Sequence, residues 1–207
     1  MENLDIKQLP ELERYMLHRV YELNQNFKNY FKSYDFHNLY KELLNFCTVD
    51  LSSFYFDIRK DALYCDSKDS DRRKSSIVVL NIILESLVKW FAPILSFTTE
   101  EIFTLINKEQ KSIHLEQFMK FPEFFQDEEL HKKWMELKKI RDICNISIEA
   151  KRASKEIGSS LEANLVINLN KKLFEISKNV DFSEICITSS ALVHQSNEDE
   201  IIIETIK

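Results

Sequence analysis

Apolar residues recur every three or four positions along the first three quarters of the chain, which is the spacing of one face of an α-helix. We predict helices at residues 10–33, 35–62, 72–91, 98–106 and 127–156. The segment between the last two is rich in phenylalanine and too apolar for a free linker, so we expect it to lie against the helices. The pattern therefore predicts a bundle of five helices.

Local signals mark where several of these helices begin or end. Asp35 is a candidate N-cap of the second helix, and Ser70 or Asp71 of the third, because a short side chain can accept from the unpaired backbone N–H groups there. Pro10 suits the first helical position, where its missing N–H costs no intrahelical bond. Gly158 is placed to end the fifth helix as a left-handed residue.

The periodicity changes after Gly158. Residues 161–169 alternate as a half-buried strand does, residues 171–178 suit one short helix, and residues 185–187 and 201–206 are typical of further strands, with 191–194 as another candidate. We therefore predict two domains, a helical bundle over residues 1–160 and a small α/β subdomain over residues 161–207. The fold class is mainly α.

Composition supports a helical protein with its own core. Of its 207 residues 44% are hydrophobic, whereas one glycine and three prolines leave few turn-forming residues for a many-stranded β fold. The first residues lack the apolar core of a signal peptide, and no apolar run reaches the ~18 residues of a membrane span. The four cysteines form no CxxC pair. We expect a soluble, cytoplasmic protein with reduced thiols.

Neither catalytic nor metal-binding groups are legible in the sequence. The five histidines show no metal-ligand spacing such as HExxH, and no catalytic triad pattern is visible. We therefore predict no catalytic residue, no metal site and no cofactor within these residues.

Basic residues are the better candidates for function, although the net charge is −6. The fifth helix has a local excess of positive charge, which suits a phosphate backbone. Its candidate residues are Lys132, Lys138, Lys139, Arg141, Lys151 and Arg152. A solvated helix face would carry similar charges, so that interpretation stays open.

A second basic group surrounds the polar turn between the second and third helices. It contains Arg59, Lys60, Arg72 and Arg73. The last two lie in the first turn of a helix, where the helix dipole disfavours cations, so a phosphate or an internal carboxylate is expected to retain them. Aspartates interleave with this group, and both explanations remain open.

Aromatic residues cluster around the first interhelical turn, at Tyr30, Phe31, Tyr34 and Phe36. RNA bases are commonly recognised unstacked, on aromatic rings, with hydrogen bonds at their edges. Tyr34 is the candidate stacking platform, whereas aromatic residues at helical spacing elsewhere are more often part of a core.

A series of motifs carries a family resemblance. They include VDLSSFYFDIRKDALY at residues 49–64, the arginine pair at 72–73, WFAPIL at 90–95 and IGSSLEA at 157–163, with shorter matches at 83–85, 99–102 and 134–141. In order and spacing they resemble the C-terminal anticodon-binding region of bacterial-type isoleucyl-tRNA synthetases, over nearly the whole chain. The resemblance implies the helical anticodon-binding bundle of class I aminoacyl-tRNA synthetases.

The resemblance also implies a function. The chain would be a monomeric fragment of an isoleucine-tRNA ligase that binds the anticodon stem-loop of tRNA(Ile) and adjoins the catalytic and editing domains of its parent. The parent would use ATP and Mg, and the zinc-binding segment of bacterial members would be absent here. The alternatives are the equivalent module of a valyl- or leucyl-type synthetase, and a helical protein-protein interaction module that binds no RNA.

Overall fold

A computed structural model of the chain describes residues 8–107 and 111–207. These residues form two compact units, which divide between Asp127 and Glu128. The sequence pattern instead placed the domain boundary after residue 160, because the fifth helix continues the helical periodicity of the first four. The structure groups that helix with the α/β part of the chain.

The first unit is helical. Its elements are α1 (Glu11–Ser33), α2 (Phe36–Asn45), a π-helical segment (Phe46–Phe56), α3 (Asp57–Tyr64), α4 (Asp71–Phe91) and α5 (Ser96–Ile106), followed by 3₁₀ turns at Ile113–Leu115 and Glu123–Phe125. The helical character predicted for this region is confirmed, and the predicted helix at 35–62 is the continuous run from α2 to α3. The helix predicted from residue 98 begins at Ser96.

Two predicted N-caps are present. The Asp35 carboxylate accepts from the backbone N–H of Asn38 at 3.2 Å, and the Ser70 hydroxyl accepts from that of Arg73 at 3.5 Å. Pro10 is the capping residue of α1, with φ −53° and ψ 156°, so the helix begins at Glu11. The prediction therefore began this helix one residue too early, at Pro10 instead of Glu11.

The π-helical segment keeps one face of a long helix directed at the core. Buried residues along α2, this segment and α3 recur about every four positions, at Leu39, Leu43, Phe46, Asp50, Leu51, Phe54, Tyr55, Ile58, Arg59 and Ala62. An α-helix repeats every 3.6 residues, so a four-residue stripe would drift around it. The i→i+5 pattern of a π-helix places more residues in each turn and offsets that drift.

Trp90 lies at the centre of the first unit. Its ring is fully buried and packs edge-to-face on Phe27, with the centroids 4.9 Å apart. Its indole N–H donates to the Asn24 side-chain oxygen at 3.1 Å, while the Asn24 amide donates to the Met119 carbonyl at 2.8 Å. The segment after α5 is thereby held against α1, as the sequence predicted.

The second unit combines a long helix with a small sheet. Its elements are α6 (Glu128–Ala153), a 3₁₀ turn (Ser160–Glu162), β1 (Asn164–Leu169), α7 (Lys171–Ser177), α8 (Phe182–Cys186), β2 (Ser190–Gln195) and β3 (Ile202–Ile206). The strand order is β2-β1-β3. Central β1 pairs in parallel with β2, in the register Asn164 to Ser190, and antiparallel with β3, in the register Asn164 to Ile206. Alternate residues of β1 are buried, as its sequence predicted.

Two local predictions for this unit are wrong. Residues 185–187 belong to no strand: the Asp181 carboxylate accepts from the N–H groups of Ser183 and Glu184 and starts a short helix, which Ile187 ends at φ 57°. Gly158 is not a left-handed residue. Because α6 ends at Ala153, the positive φ falls on Lys155, at 61°.

Candidate nucleic-acid interface

Helix α6 presents some of its predicted cations to solvent. Lys132 and Lys139 are exposed and Lys138 is partly exposed. Lys132 and Lys139 are seven residues apart, so they lie on one face of the helix, separated by about two turns and about 10 Å. Lys132 makes no ion pair within the described part of the chain, and Lys139 pairs with Glu136 at 2.9 Å. These side chains are accessible to an anionic ligand.

The basic residues at the end of α6 are held by neighbouring acids. Lys151 pairs with Glu156 at 2.6 Å, and Arg152 pairs with Glu149 at 2.6 Å. Both pairs are substantially exposed, and exposed pairs stabilise a protein by only about 0–1 kcal/mol. Such pairs can exchange their carboxylate for a phosphate at low cost.

Arg141 does not belong to this surface. Its side chain is only 8% exposed, and its Nε donates to the carbonyl of Ile185 at 2.9 Å. The guanidinium therefore joins α6 to the end of α8 within the second unit. We withdraw Arg141 as a candidate RNA contact, because a phosphate could reach it only by breaking that packing.

Arg59 is also removed from the candidate surface. It is 3% exposed, and its Nε and Nη2 donate to the two carboxylate oxygens of Glu13 at 2.6 and 2.7 Å. Glu13 is fully buried and accepts a further bond from the Tyr55 hydroxyl at 3.2 Å. Burial, and then the nearby carboxylate, raise the pKa of Tyr55. This cluster joins α1 to the α3 region as a structural ion pair.

The other members of the second basic group bind oxygen atoms of two nearby aspartates, Asp66 and Asp57. Arg72 donates to the Asp66 carboxylate through Nε at 2.9 Å and Nη2 at 2.6 Å, and Arg73 donates to the Asp66 carbonyl at 2.9 Å. The Arg72 hydrogen bonds lower the pKa of Asp66 to about 2. Lys60 is exposed and pairs with Asp57 at 2.8 Å. Of the two partners that the sequence left open, an internal carboxylate therefore binds Arg72, whereas Arg73 is held by a backbone carbonyl.

Tyr34 occupies the corner between α1 and α2 in an unusual conformation. Its φ is 58° and its side chain is 80% exposed. The left-handed region favours glycine or asparagine, and a bulky residue there carries a conformational cost. Its ring lies edge-on to the half-exposed Phe36, with the centroids 6.3 Å apart. The corner therefore presents an exposed aromatic face to solvent.

A groove of about 710 Å³ lies between α1 and α2 and was not predicted. Its lining includes Asn26, Tyr30, His37, Asn38, Tyr40, Lys41, Glu42 and Asn45. The Glu42 carboxylate is fixed by the Tyr30 hydroxyl at 2.9 Å and by the Asn26 amide at 3.4 Å, and the first of these bonds raises the pKa of Tyr30. In the sequence these side chains resemble any solvated helix face, so only the approach of α1 to α2 identifies them as one site.

Among the described residues, no helix combines the length and apolarity needed to cross a membrane.

Comparison with known proteins identifies the class to which this fold and basic surface belong. Residues 13–167 match the family described as the anticodon-binding domain of tRNA ligase, and the chain belongs to that family. It is 94% identical over its full length to the isoleucine–tRNA ligase of Pelagibacter ubique (strain HTCC1062), of which it covers 23%. The predicted resemblance to the anticodon-binding region of isoleucyl-tRNA synthetases is thereby confirmed.

More distant relatives carry the same name. Over 90% of its length the chain is 42% identical to the isoleucine–tRNA ligase of Bartonella quintana (strain Toulouse), and over 96% it is 40% identical to that of Mesorhizobium japonicum. It covers 19% and 20% of these two proteins. The chain therefore spans less than a quarter of the length of its relatives.

Proposed function

We propose that this chain binds the anticodon stem-loop of tRNA(Ile) as one part of an isoleucine–tRNA ligase. The observation that carries the proposal is the 94% identity over the whole chain to a protein of that name, together with the match to the anticodon-binding family. The same similarity favours the isoleucyl type over the valyl- or leucyl-type alternative.

In this function the chain contributes position and affinity. Holding the anticodon arm orients the tRNA so that its acceptor end reaches a catalytic domain elsewhere in the parent, where ATP and Mg act. The module itself uses no cofactor, and we place it in the cytoplasm as a monomer. Precise placement of a distant reacting group accounts for large rate effects in enzymes, so a binding module can serve catalysis without touching the reacting atoms.

Phosphate binding is assigned to the cations that the structure leaves accessible. Lys132, Lys138 and Lys139 supply the contacts along α6, and Lys151 and Arg152 supply weaker ones at its end. Each phosphate contact releases condensed counterions, so it steepens the fall of log K with log salt by about 0.7 to 0.9. Arg59 and Arg141 are excluded because both are buried in contacts of their own.

Tyr34 is assigned to base stacking. A tyrosine costs stability at φ 58°, and this residue is 80% exposed, so little packing against the protein offsets that cost. Strained and exposed residues of this kind are typical of functional sites, and a stacked base would use the open face of the ring.

Helix α5 exposes apolar side chains at both of its ends, and these suit the rest of the parent polypeptide better than RNA. Phe97 in its first turn is 92% exposed, and Leu105 in its last turn is 78% exposed. Further polypeptide could cover such side chains. Because the relatives extend far beyond this chain, their remaining residues are the natural partner, and the protein-docking alternative becomes part of the same function.

The experiment is a salt titration of tRNA binding by the 207-residue chain. We expect tRNA(Ile) to bind more weakly as salt rises. The double variant Lys132→Glu/Lys139→Glu should reduce the affinity and also flatten the salt dependence, by about 0.7 to 0.9 in slope for each phosphate that is no longer bound. A matched control is Lys171→Glu/Lys172→Glu, which removes two exposed lysines from α7 instead.

Two results would contradict the proposal. The first is that neither tRNA(Ile) nor a non-cognate tRNA shows salt-dependent binding to the chain, which would favour protein docking alone. The second is isoleucine-dependent pyrophosphate exchange by this polypeptide, which would place a catalytic centre within it. If the α7 control flattened the salt dependence as much as the α6 variant, the assignment to α6 would be wrong while RNA binding stood.

A further inference from the structure

We propose that the groove between α1 and α2 is a pocket for one unstacked RNA base, and that it selects a base bearing an exocyclic amino group. This inference rests on the proposed function, because it takes RNA as the ligand. The groove lies wholly within the first unit, and its volume of about 710 Å³ falls within the usual range of small-ligand sites.

Glu42 is the group that would read the base. Its carboxylate accepts from the Tyr30 hydroxyl at 2.9 Å and from the Asn26 amide at 3.4 Å, so α1 fixes its position from two directions. An ionised carboxylate has about four acceptor sites, and these two bonds leave others for a ligand. Acceptors at this position favour the amino group of adenine, guanine or cytosine, whereas the N3–H donor of uracil lies between two carbonyl oxygens that a carboxylate repels.

Tyr40 supplies the stacking surface. It lines the groove and is 53% exposed, so one face of the ring is available without any rearrangement of the core. Stacking on an aromatic ring is tolerant of base identity and strengthens binding about tenfold or more. The ring therefore contributes affinity, and Glu42 contributes selectivity.

The rim of the groove suits a nucleotide's phosphates. Lys41 and His37 are exposed there, while Asn45 presents an amide that can donate and accept at a base edge. Arg19 plays another part, because it donates to Asp50 at 3.2 Å and also to Glu22. The paired Arg19 side chain therefore forms part of the groove wall and is not a free cation for a phosphate.

The character of the lining favours RNA over a docked protein. Protein interfaces use a buried apolar or aromatic anchor at their centre. Here the lining combines two leucines, Leu23 and Leu44, and two tyrosines with three asparagines, two carboxylates and a lysine. Convergent hydrogen-bonding groups beside a half-exposed ring are the arrangement by which single-stranded bases are recognised.

The test uses hairpins with the anticodon-arm sequence of tRNA(Ile), in which each loop base in turn is removed or replaced by uracil. Fluorescence anisotropy measures their affinity for the 207-residue chain and for Tyr40→Ala, Tyr40→Phe and Glu42→Gln. Tyr64→Ala is the control, because this tyrosine of α3 is 84% exposed and does not line the groove. Circular dichroism establishes that each variant keeps its fold.

We expect Tyr40→Ala to weaken binding about tenfold, Tyr40→Phe to retain it, and the control to behave as the unmodified chain. At one loop position, removing the base should also cost about tenfold, and Tyr40→Ala should add no further loss there, because the ring and the base form one contact. At that position, Glu42→Gln should reduce the preference for an amino-bearing base over uracil.

The outcomes separate this inference from the function on which it rests. If the unmodified chain binds the hairpin with the expected salt response but Tyr40→Ala does not change its affinity, the pocket is elsewhere and the proposed function stands. Losses that add at every loop position would equally overturn the inference. If the folded, unmodified chain binds no hairpin, the proposed function fails and the pocket fails with it.

Discussion

Replacing Arg59 by methionine should lower the free energy of unfolding of the first unit by about 3 kcal/mol. Glu13 is fully buried and Arg59 is 3% exposed, and removing one member of such a pair costs about 3–5 kcal/mol because it leaves a buried charge unpaired. We take the lower end of this range because the Tyr55 hydroxyl, 3.2 Å from the Glu13 carboxylate, remains as a donor. The loss of stability arises from the unpaired, buried Glu13 carboxylate rather than from reduced packing.

Urea denaturation followed by tryptophan fluorescence measures this cost. The chain has two tryptophans. With Trp134→Phe introduced into the parent and into every variant, the buried Trp90 alone reports on the first unit. If the charge is the cause, the double variant Glu13→Gln/Arg59→Met should recover at least half of the loss, since the glutamine still accepts from Tyr55.

Lys60→Met is the matched control for Arg59→Met. The Lys60 side chain is 64% exposed and its pair with Asp57 is a surface pair, so the urea midpoint should not change. A cost below about 1 kcal/mol for Arg59→Met would refute the reasoning about the buried pair. A tenfold loss of tRNA affinity by the folded Arg59→Met variant would return this arginine to the RNA surface.

Two further predictions concern the polar turn and the exposed corner. Asp66→Asn should lower the urea midpoint at pH 7, because the Arg72 hydrogen bonds depress the pKa of Asp66 from 3.8 to about 2. The ionised carboxylate therefore stabilises the fold above pH 3.8, and this stabilisation is lost as the pH falls through about 2. The urea midpoints of the variant and the parent should converge there. Unchanged separation down to pH 2 would exclude this cause. Tyr34→Asn should raise the free energy of unfolding by about 0.5–1 kcal/mol because asparagine tolerates positive φ, yet weaken RNA binding in anisotropy; a gain in stability with unchanged affinity would leave the ring without a role in RNA binding.

The helices could be predicted from the sequence because their signals are local. The apolar stripe of α1 and the caps Asp35 and Ser70 depend on residues within a turn or two of one another. The errors arise where a short segment has two local solutions. Residues 185–187 have strand-like composition, but Asp181 accepts from two successive N–H groups and begins a helix instead. Similarly, Gly158 is a good helix terminator, yet α6 has already ended at Ala153.

The site was harder to predict because exposure depends on distant residues. Arg59 and Lys60 are adjacent in the chain and equally basic, but the partner of Arg59 lies 46 residues away on α1, whereas that of Lys60 lies three residues away on its own helix. No local pattern distinguishes the structural arginine from the exposed lysine. The α1–α2 groove has the same origin, since Tyr30 and Glu42 become one hydrogen-bonded pair only when the helices pack.

Phosphate contacts and base contacts respond differently to salt, and this difference distinguishes the α6 lysines from the α1–α2 groove. The α6 lysines act through counterion release, so their contribution falls steeply as salt rises. Stacking on Tyr40 and a hydrogen bond to Glu42 release few counterions, so the ratio of affinities for an amino base and uracil should change little over the same titration. Affinity that falls with salt while base discrimination persists would show that charge provides binding and the groove provides selectivity. A parallel loss of both would mean that the groove, too, acts mainly on phosphates.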